Sequence, residues 1–349
     1  MNYKKRVAEL KEGLEYPFLV TEREDLFYLL GFQGSVGFLL IFPDRVPIFF
    51  CDGRYTTQAK EEIKLKVEIQ EFRNEITKNI KEAVSGNGYQ KFLVEDSLKI
   101  GFYEHLKNQS LEVVPIPSPS RQMRMIKDEE EIEEIKKAVR VSEEALKKVR
   151  PLFREGVKEK DVALELDYQM RLLSGEEVAF STIIAGGKRS ALPHARPSPY
   201  SFKDNDWAIV DWGARVNGYC ADLTRIIALG KIDSCFYQLL QTVEEAQQLA
   251  ESIIKEGIKA KEVDGAVRNF FKEKKVEEYF THSLGHGVGI EVHEDPHLSP
   301  KSETTLKKDM VVTVEPGIYF PDWGGIRLEN LVVVQEGGNK ILDSLPLLL

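Results

Sequence analysis

Short apolar runs bounded by turn residues alternate with helical periodicity through the first third of the chain. Residues 17–20, 37–42 and 46–50 are apolar stretches of strand length. The last two flank Pro43-Asp44-Arg45, which predicts an antiparallel pair closed by that turn. Residues 55–63 and 75–84 carry helical spacing, and 92–95 reads as another strand. This part is a small α/β domain. Pro115-Ile-Pro-Ser-Pro-Ser120 reads as a linker. A long helix is expected over residues 126–149, with Ile132, Ile135, Val139, Leu146 and Val149 on one face. Its acids cluster early and its bases late, which complements the helix dipole. The charged positions themselves read as a solvated face.

Beyond that helix the pattern mixes long helices, at 157–173 and 235–254, with strands at 207–212, 310–315 and 326–334. Glycine-rich turns separate the strands. There is no solenoid-type repeat and no low-complexity tract. The 349-residue length is in keeping with two domains, divided here as 1–122 and 123–349.

Composition narrows the function classes. The 57 acidic and 48 basic residues leave a net charge of −9, which argues against nucleic acid as the main partner. The three cysteines, Cys51, Cys220 and Cys235, form no disulfide framework and suit a reducing cytosol. The basic N-terminus lacks the apolar run of a signal peptide, and no stretch has the length of a membrane span, so a cytoplasmic protein is expected.

The chemistry is carried by acids placed inside apolar strands. Asp211 and Asp222 flank Asn217-Gly218, a strong hairpin signal. A loop at Val216-Asn217 would pair Asp211 with Asp222; a loop at Asn217-Gly218 would pair Asp222 with Gly213. Either register puts both carboxylates on one face, where they repel unless a cation lies between them. Glu315 and Glu329 lie equally far from Asp322 and can oppose across a turn there. Arg327, two residues before Glu329, is expected to hold that carboxylate from behind. His286 sits between glycines in Gly285-His-Gly-Val-Gly289. Four carboxylates and one imidazole suit two divalent cations, Mn, Co or Zn. Two such ions about 3.5–4 Å apart can activate a shared water and polarise a carbonyl.

Other histidines bear on catalysis. His194 lies in a proline-broken loop and His293 in Val292-His-Glu-Asp-Pro296; either can donate to an oxyanion or move a proton. His282 reads as a buttress of the His286 loop and His105 as a surface group.

Together these motifs resemble the pita-bread metallopeptidases. The resemblance rests on Asp211 with Asp222-Leu-Thr-Arg225, the Gly285–Gly289 loop with His293-Glu294, Val314-Glu-Pro-Gly-Ile-Tyr319, and Arg327-Leu-Glu329. In the first domain it extends to 30–37 and Asp52-Gly-Arg-Tyr55. It implies an α+β fold in which a pita-bread catalytic domain follows a smaller α/β creatinase-type domain. It also implies a homodimer. A preceding domain with all five ligand positions filled is the pattern of the proline peptidases, aminopeptidase P and prolidase.

Carried over by position, the resemblance makes Asp211, Asp222, His286, Glu315 and Glu329 metal ligands. It makes His194 and His293 substrate-contacting and catalytic, gives Arg327 a supporting role, and sets Phe180 in an apolar pocket for the proline ring. Asn330 stands where the family commonly has Asp. His297 stands near the position where many prolidases have an arginine for the dipeptide carboxylate. An imidazole is a poorer carboxylate clamp than a bidentate guanidinium. The resemblance thus tilts to an Xaa-Pro aminopeptidase acting on Xaa-Pro peptides, with an Xaa-Pro dipeptidase as the alternative. A non-catalytic peptide-binding relative would usually have lost ligands, and a two-metal phosphoesterase would need a phosphate cradle that the sequence lacks.

Overall fold

In a computed structural model, described for residues 1–73 and 75–349, the chain divides into two compact units, Met1–Arg124 and Met125–Leu349. The division falls after Arg124, whose guanidinium donates to buried Asp25 at 2.9 Å within the first unit.

The first unit is one mixed sheet with helices. Its strands are β1 (Phe18–Val20), β2 (Phe38–Ile41), β3 (Ile48–Cys51), β4 (Glu68–Glu71), β5 (Lys91–Glu95) and β6 (Glu112–Ile116), in the order β4-β3-β2-β1-β5-β6. Phe38 faces Phe50 and Leu40 faces Ile48, so the 43–45 turn closes the pair as the sequence suggests. Leu19, Leu40, Phe50, Phe92 and Val94 meet helix residues Ile80, Val84 and Leu106 in one core.

The proline-rich stretch is not a linker. Pro115 and Ile116 belong to β6, an edge strand, where a residue without N–H is tolerated. Pro119–Arg124 is a short helix fastened by Ser118 and Ser120, which both donate to Asp25.

The second unit begins with the helix Glu129–Val149. It starts three residues later than the periodicity suggests, because Asp128 and Glu131 form a capping box there. Much of its charge is solvated in i,i+3 pairs such as Lys136–Glu133 and Lys147–Glu144. Two of its acids are not: Glu131 accepts from Tyr219 and Glu143 from Ser344, both buried.

Strands β7 (Ile183–Gly186), β8 (Trp207–Trp212), β9 (Arg215–Val216), β10 (Tyr219–Cys220) and β11 (Leu223–Ala228) form one antiparallel region. A five-stranded sheet contains β12 (Gly285–Gly287), β13 (Glu294–Leu298), β14 (Val311–Val314), β17 (Asn330–Gln335) and β18 (Gly338–Ile341), and a ribbon joins β15 (Gly317–Phe320) to β16 (Gly324–Arg327). Helices Ser234–Ile253 and Ala260–Glu273 pack Phe236, Val243, Val263 and Phe271 against Trp207, Ile226, Val312 and Val332 in a second core. Among the described residues no helix is long and apolar enough to cross a membrane.

Candidate metal centre

The Asp211/Asp222 hairpin closes on Asn217-Gly218. Both turn residues have positive φ, 49° and 82°, as the type I′ turn requires. One register runs from Tyr219↔Val216 through Leu223↔Trp212 to Thr224↔Asp211. Asp222 therefore lies opposite Gly213, the second of the two registers considered. Phe180 lies beside the same point: a Cβ on Gly213 would come 2.9 Å from its ring.

The Glu315/Glu329 hairpin also keeps one register, from Val311↔Val333 to Val314↔Asn330 and again from Gly317↔Arg327 to Phe320↔Gly324. It is interrupted only at the two glutamates, so the strand read as 326–334 is in fact split in two. The interruption has a physical cause. Glu315 N donates to Leu284 O at 2.9 Å and Glu329 N to Thr224 O at 3.2 Å, each leaving the hairpin for a neighbouring strand region. The break thus brings both acids to the aspartate hairpin and to the His286 strand.

His286 lies on β12, between β13 and β14. Its flanking glycines are steric necessities: a Cβ on Gly285 would lie 2.1 Å from Thr313 O, and one on Gly287 2.3 Å from Asp295 O. The ring Nδ1 lies 3.1 Å from Gly287 O. Nδ1–H donates there, which leaves the Nε2 lone pair facing inward. Nε2 is 3.6 Å from Asp222 Oδ2 and 3.4 Å from Glu315 Oε1.

Asp211, Asp222 and Glu329 offer carboxylate oxygens within 4.8 Å of one another; His286, Glu315 and Glu329, and also Asp222, His286 and His293, bring a ring nitrogen or carboxylate oxygen each within the same distance. All five residues expected to bind metal fall in these overlapping groups. Burial raises the pKa of Asp211, and raises those of Asp222 and Glu329 well above the carboxylate range. Burial also pushes Glu315 up to about 8, with Arg327 opposing and Asp211 adding to the rise. The same burial holds His286 neutral, down to about 3. Asp211 Oδ1 and Glu329 Oε1 are buried with no hydrogen-bond partner. Orphaned oxygens among crowded acids fit a site built for hard or borderline divalent cations.

Arg327 does not hold Glu329. Its Nη2 donates to Asp211 Oδ2 at 2.6 Å, its Nη1 to Tyr319 Oη and Pro193 O, and its Nε to Thr224 Oγ1. Glu329 is held by Thr224, whose hydroxyl donates at 2.7 Å. Strand alternation named the right face for Arg327 but not the neighbour across the sheet. Thr224 was missed, although a polar residue within Leu223-Thr-Arg-Ile-Ile227 is itself a signal. Tyr319 was also missed as a partner; its hydroxyl bridges Arg327 and His282, which lies 2.9 Å away and is held near 4 by burial.

His293 packs its ring on His286, with centroids 4.3 Å apart, at the solvent edge of the group. His194 is exposed on the loop that Arg327 grips through Pro193 O. His297 is exposed on β13, 3.9 Å from Asp295.

A sheet-borne nest of carboxylates with one neutral imidazole defines a metal-dependent hydrolase. The chain belongs to metallopeptidase family M24, whose model matches residues 133–336, preceded by a creatinase/prolidase N-terminal domain over 11–126. Its fold is accordingly the α+β pita-bread domain behind a creatinase-type α/β domain. It is 37% identical to a Xaa-Pro dipeptidase of Pyrococcus horikoshii, covering 93% of this chain and 92% of that one. The structure of an X-Pro aminopeptidase from Thermotoga maritima is 36% identical with a TM-score of 0.88, covering 96% and 97% of the two chains. That of a Xaa-Pro dipeptidase from Bacillus anthracis is 34% identical, with a TM-score of 0.95 over 100% of both.

Proposed function

We propose that this metallopeptidase hydrolyses the bond between an N-terminal residue and proline, as an Xaa-Pro aminopeptidase. The observation that carries the reading is the buried group Asp211, Asp222, His286, Glu315 and Glu329, with orphaned oxygens and with His293 and His194 at its rim. Two divalent ions, Mn, Co or Zn, held by those five residues would supply an activated water and a Lewis acid for the scissile carbonyl.

The chain's own groups do the rest. Glu315 takes a proton from the attacking water at its carboxylate. It returns that proton to the proline nitrogen, which as a tertiary amide nitrogen has no hydrogen of its own and must be protonated to leave. His293 is depressed in pKa by burial and acts as a neutral imidazole, donating N–H to the developing oxyanion. His194 orients the peptide from a loop that Arg327 fixes at Pro193. Phe180, against Gly213, offers an apolar face to the proline ring.

Two readings of chain length remain, each with its support. His297, an imidazole beside Asp295 and no guanidinium, favours the aminopeptidase. The Pyrococcus horikoshii and Bacillus anthracis relatives favour a dipeptidase. Ala-Pro assayed beside Ala-Pro-Xaa tripeptides separates them. Turnover of the tripeptides supports the aminopeptidase; turnover of the dipeptide alone supports the dipeptidase; turnover of neither sinks the proline-peptidase reading.

A further inference from the structure

His194 sits in a stretch that side chains, more than backbone, hold in place. The chain makes a 3₁₀ turn at Gly187–Ala191 and then runs irregularly through Pro193 and Pro197, which have no N–H to donate. Glu159, the first residue of the helix Glu159–Ser174, is fully buried and accepts from both ends of this stretch. Its Oε1 takes the Gly186 N–H at 2.8 Å. Its Oε2 takes the Ser198 N–H at 2.9 Å and the Ser198 hydroxyl at 2.7 Å. Arg189 Nε lies 3.1 and 3.0 Å from the two oxygens, and its Nη2 donates to Arg196 O at 2.8 Å. On the other side of the loop, one guanidinium of Arg327 holds both Pro193 O and Asp211 Oδ2. The chain is therefore gripped on each side of His194, at Pro193 and at Arg196, while the imidazole itself is exposed.

A carboxylate at a helix start is favoured by the dipole, but an apolar side chain would fill a buried place there at less desolvation cost. What the carboxylate adds is one fixed closure of the stretch, because charge-assisted hydrogen bonds from Gly186, Arg189 and Ser198 converge on its two oxygens. We infer that Glu159, with Arg189 and Ser198, is a positioning residue for the reaction. It sets where the His194 ring stands at the rim of the metal centre, and so how the Xaa-Pro peptide is aligned. The side-chain hydrogen bonds of Glu159 all go to residues 186–198, so its effect on catalysis passes through them. The inference rests on the reading of His194 as the residue that orients the substrate.

The test is a double-mutant cycle between Glu159→Gln and His194→Ala in the Mn-loaded full chain, assayed on Ala-Pro and on an Ala-Pro-Xaa tripeptide. Hydrogen exchange of the 186–198 segment, followed by mass spectrometry, is measured beside it. Glu159→Gln removes the charge that Arg189 pairs with and turns an amide N–H towards groups that are themselves donors. The segment should then exchange faster by about tenfold or more. The value of kcat/KM should fall by about tenfold, while Mn affinity stays within about twofold of wild type. In the His194→Ala background the same substitution should change kcat/KM by less than about twofold, because the ring it aligns is gone. Ser198→Ala, which removes a single donor, guards against misfolding and should repeat the pattern at about threefold. Unchanged exchange in Glu159→Gln, unchanged kcat/KM, weakened Mn binding, or losses that multiply fully with His194→Ala would each overturn the inference and leave the proline-peptidase reading standing. Failure of that reading looks different: the wild type turns over neither peptide, or His194→Ala alone leaves kcat/KM unchanged, and the inference falls with it.

Discussion

Arg327 donates to Asp211 across two sheets at 2.6 Å, and both side chains are buried. The same guanidinium also reaches Thr224, Tyr319 and Pro193 O, so one cation orients Asp211, the hydroxyl that holds Glu329, and the His194 loop. Arg327→Lys cannot reproduce this fork, because an ammonium is a point donor. Metal affinity should fall by about 10–100-fold. The value of kcat/KM should fall by on the order of 10²-fold, through kcat rather than KM. Metal titration and steady-state kinetics on one preparation check both; unchanged metal affinity would refute the role.

Thr224→Val removes the hydroxyl that donates to Glu329 but keeps the shape in β11. It leaves Glu329 without a side-chain donor, so the variant should bind metal more weakly by about tenfold. Thr224→Ser should restore most of the loss. Calorimetric metal titration of the pair decides; a valine variant as tight as wild type counts against the assignment.

Lys127 Nζ lies 2.7 Å from Glu294 Oε1, and both groups are buried. Glu294 follows His293 directly, and its carboxylate packs where a Cβ on Gly289 would stand, 2.4 Å away. Lys127→Met should destabilise the protein by ~3–5 kcal/mol, because it leaves a buried carboxylate without its cation. Adding Glu294→Gln should return much of that. Denaturant melts test the pair; a fully additive double variant contradicts it.

The metal-free centre is expected to be pH-sensitive. Glu315 ionises near 8 in the fold against 4.5 ordinarily. Between those values the unfolded chain sheds a proton that the fold retains. This contribution to stability is therefore fully present below about pH 4.5 and is lost as pH rises through about 8. Metal bound at Glu315 would displace that proton, so the stabilisation given by added metal should grow over the same window. Thermal melts with chelator and with metal across it should diverge as pH rises; a gap independent of pH would contradict this.

The site was more legible than its supports, and the reason is specific. Acids inside apolar strands break the expected pattern, and their spacing about Asn217-Gly218 and Asp322 fixes which pairs can oppose. Period-two alternation reports the face of a strand, not the neighbour across a sheet. Hence Arg327 was assigned to Glu329 when its partner is Asp211. The break at 328–329 was hidden because Leu328 and Leu331–Val334 keep both flanks of Glu329-Asn330 apolar, while the departure is caused by the distant Thr224 and Leu284. Pro115 read as linker because its edge position in the sheet is a tertiary fact.

The central claim is that these five residues bind the metal ions that drive Xaa-Pro hydrolysis. Its most direct measurement is a titration of chelator-stripped protein with Mn or Co, following metal bound per chain and Xaa-Pro hydrolysis together. The account predicts no hydrolysis without metal, activity rising to a plateau at two ions per chain, and loss of both signals in Asp222→Asn. Full Xaa-Pro hydrolysis by the metal-free protein would contradict it.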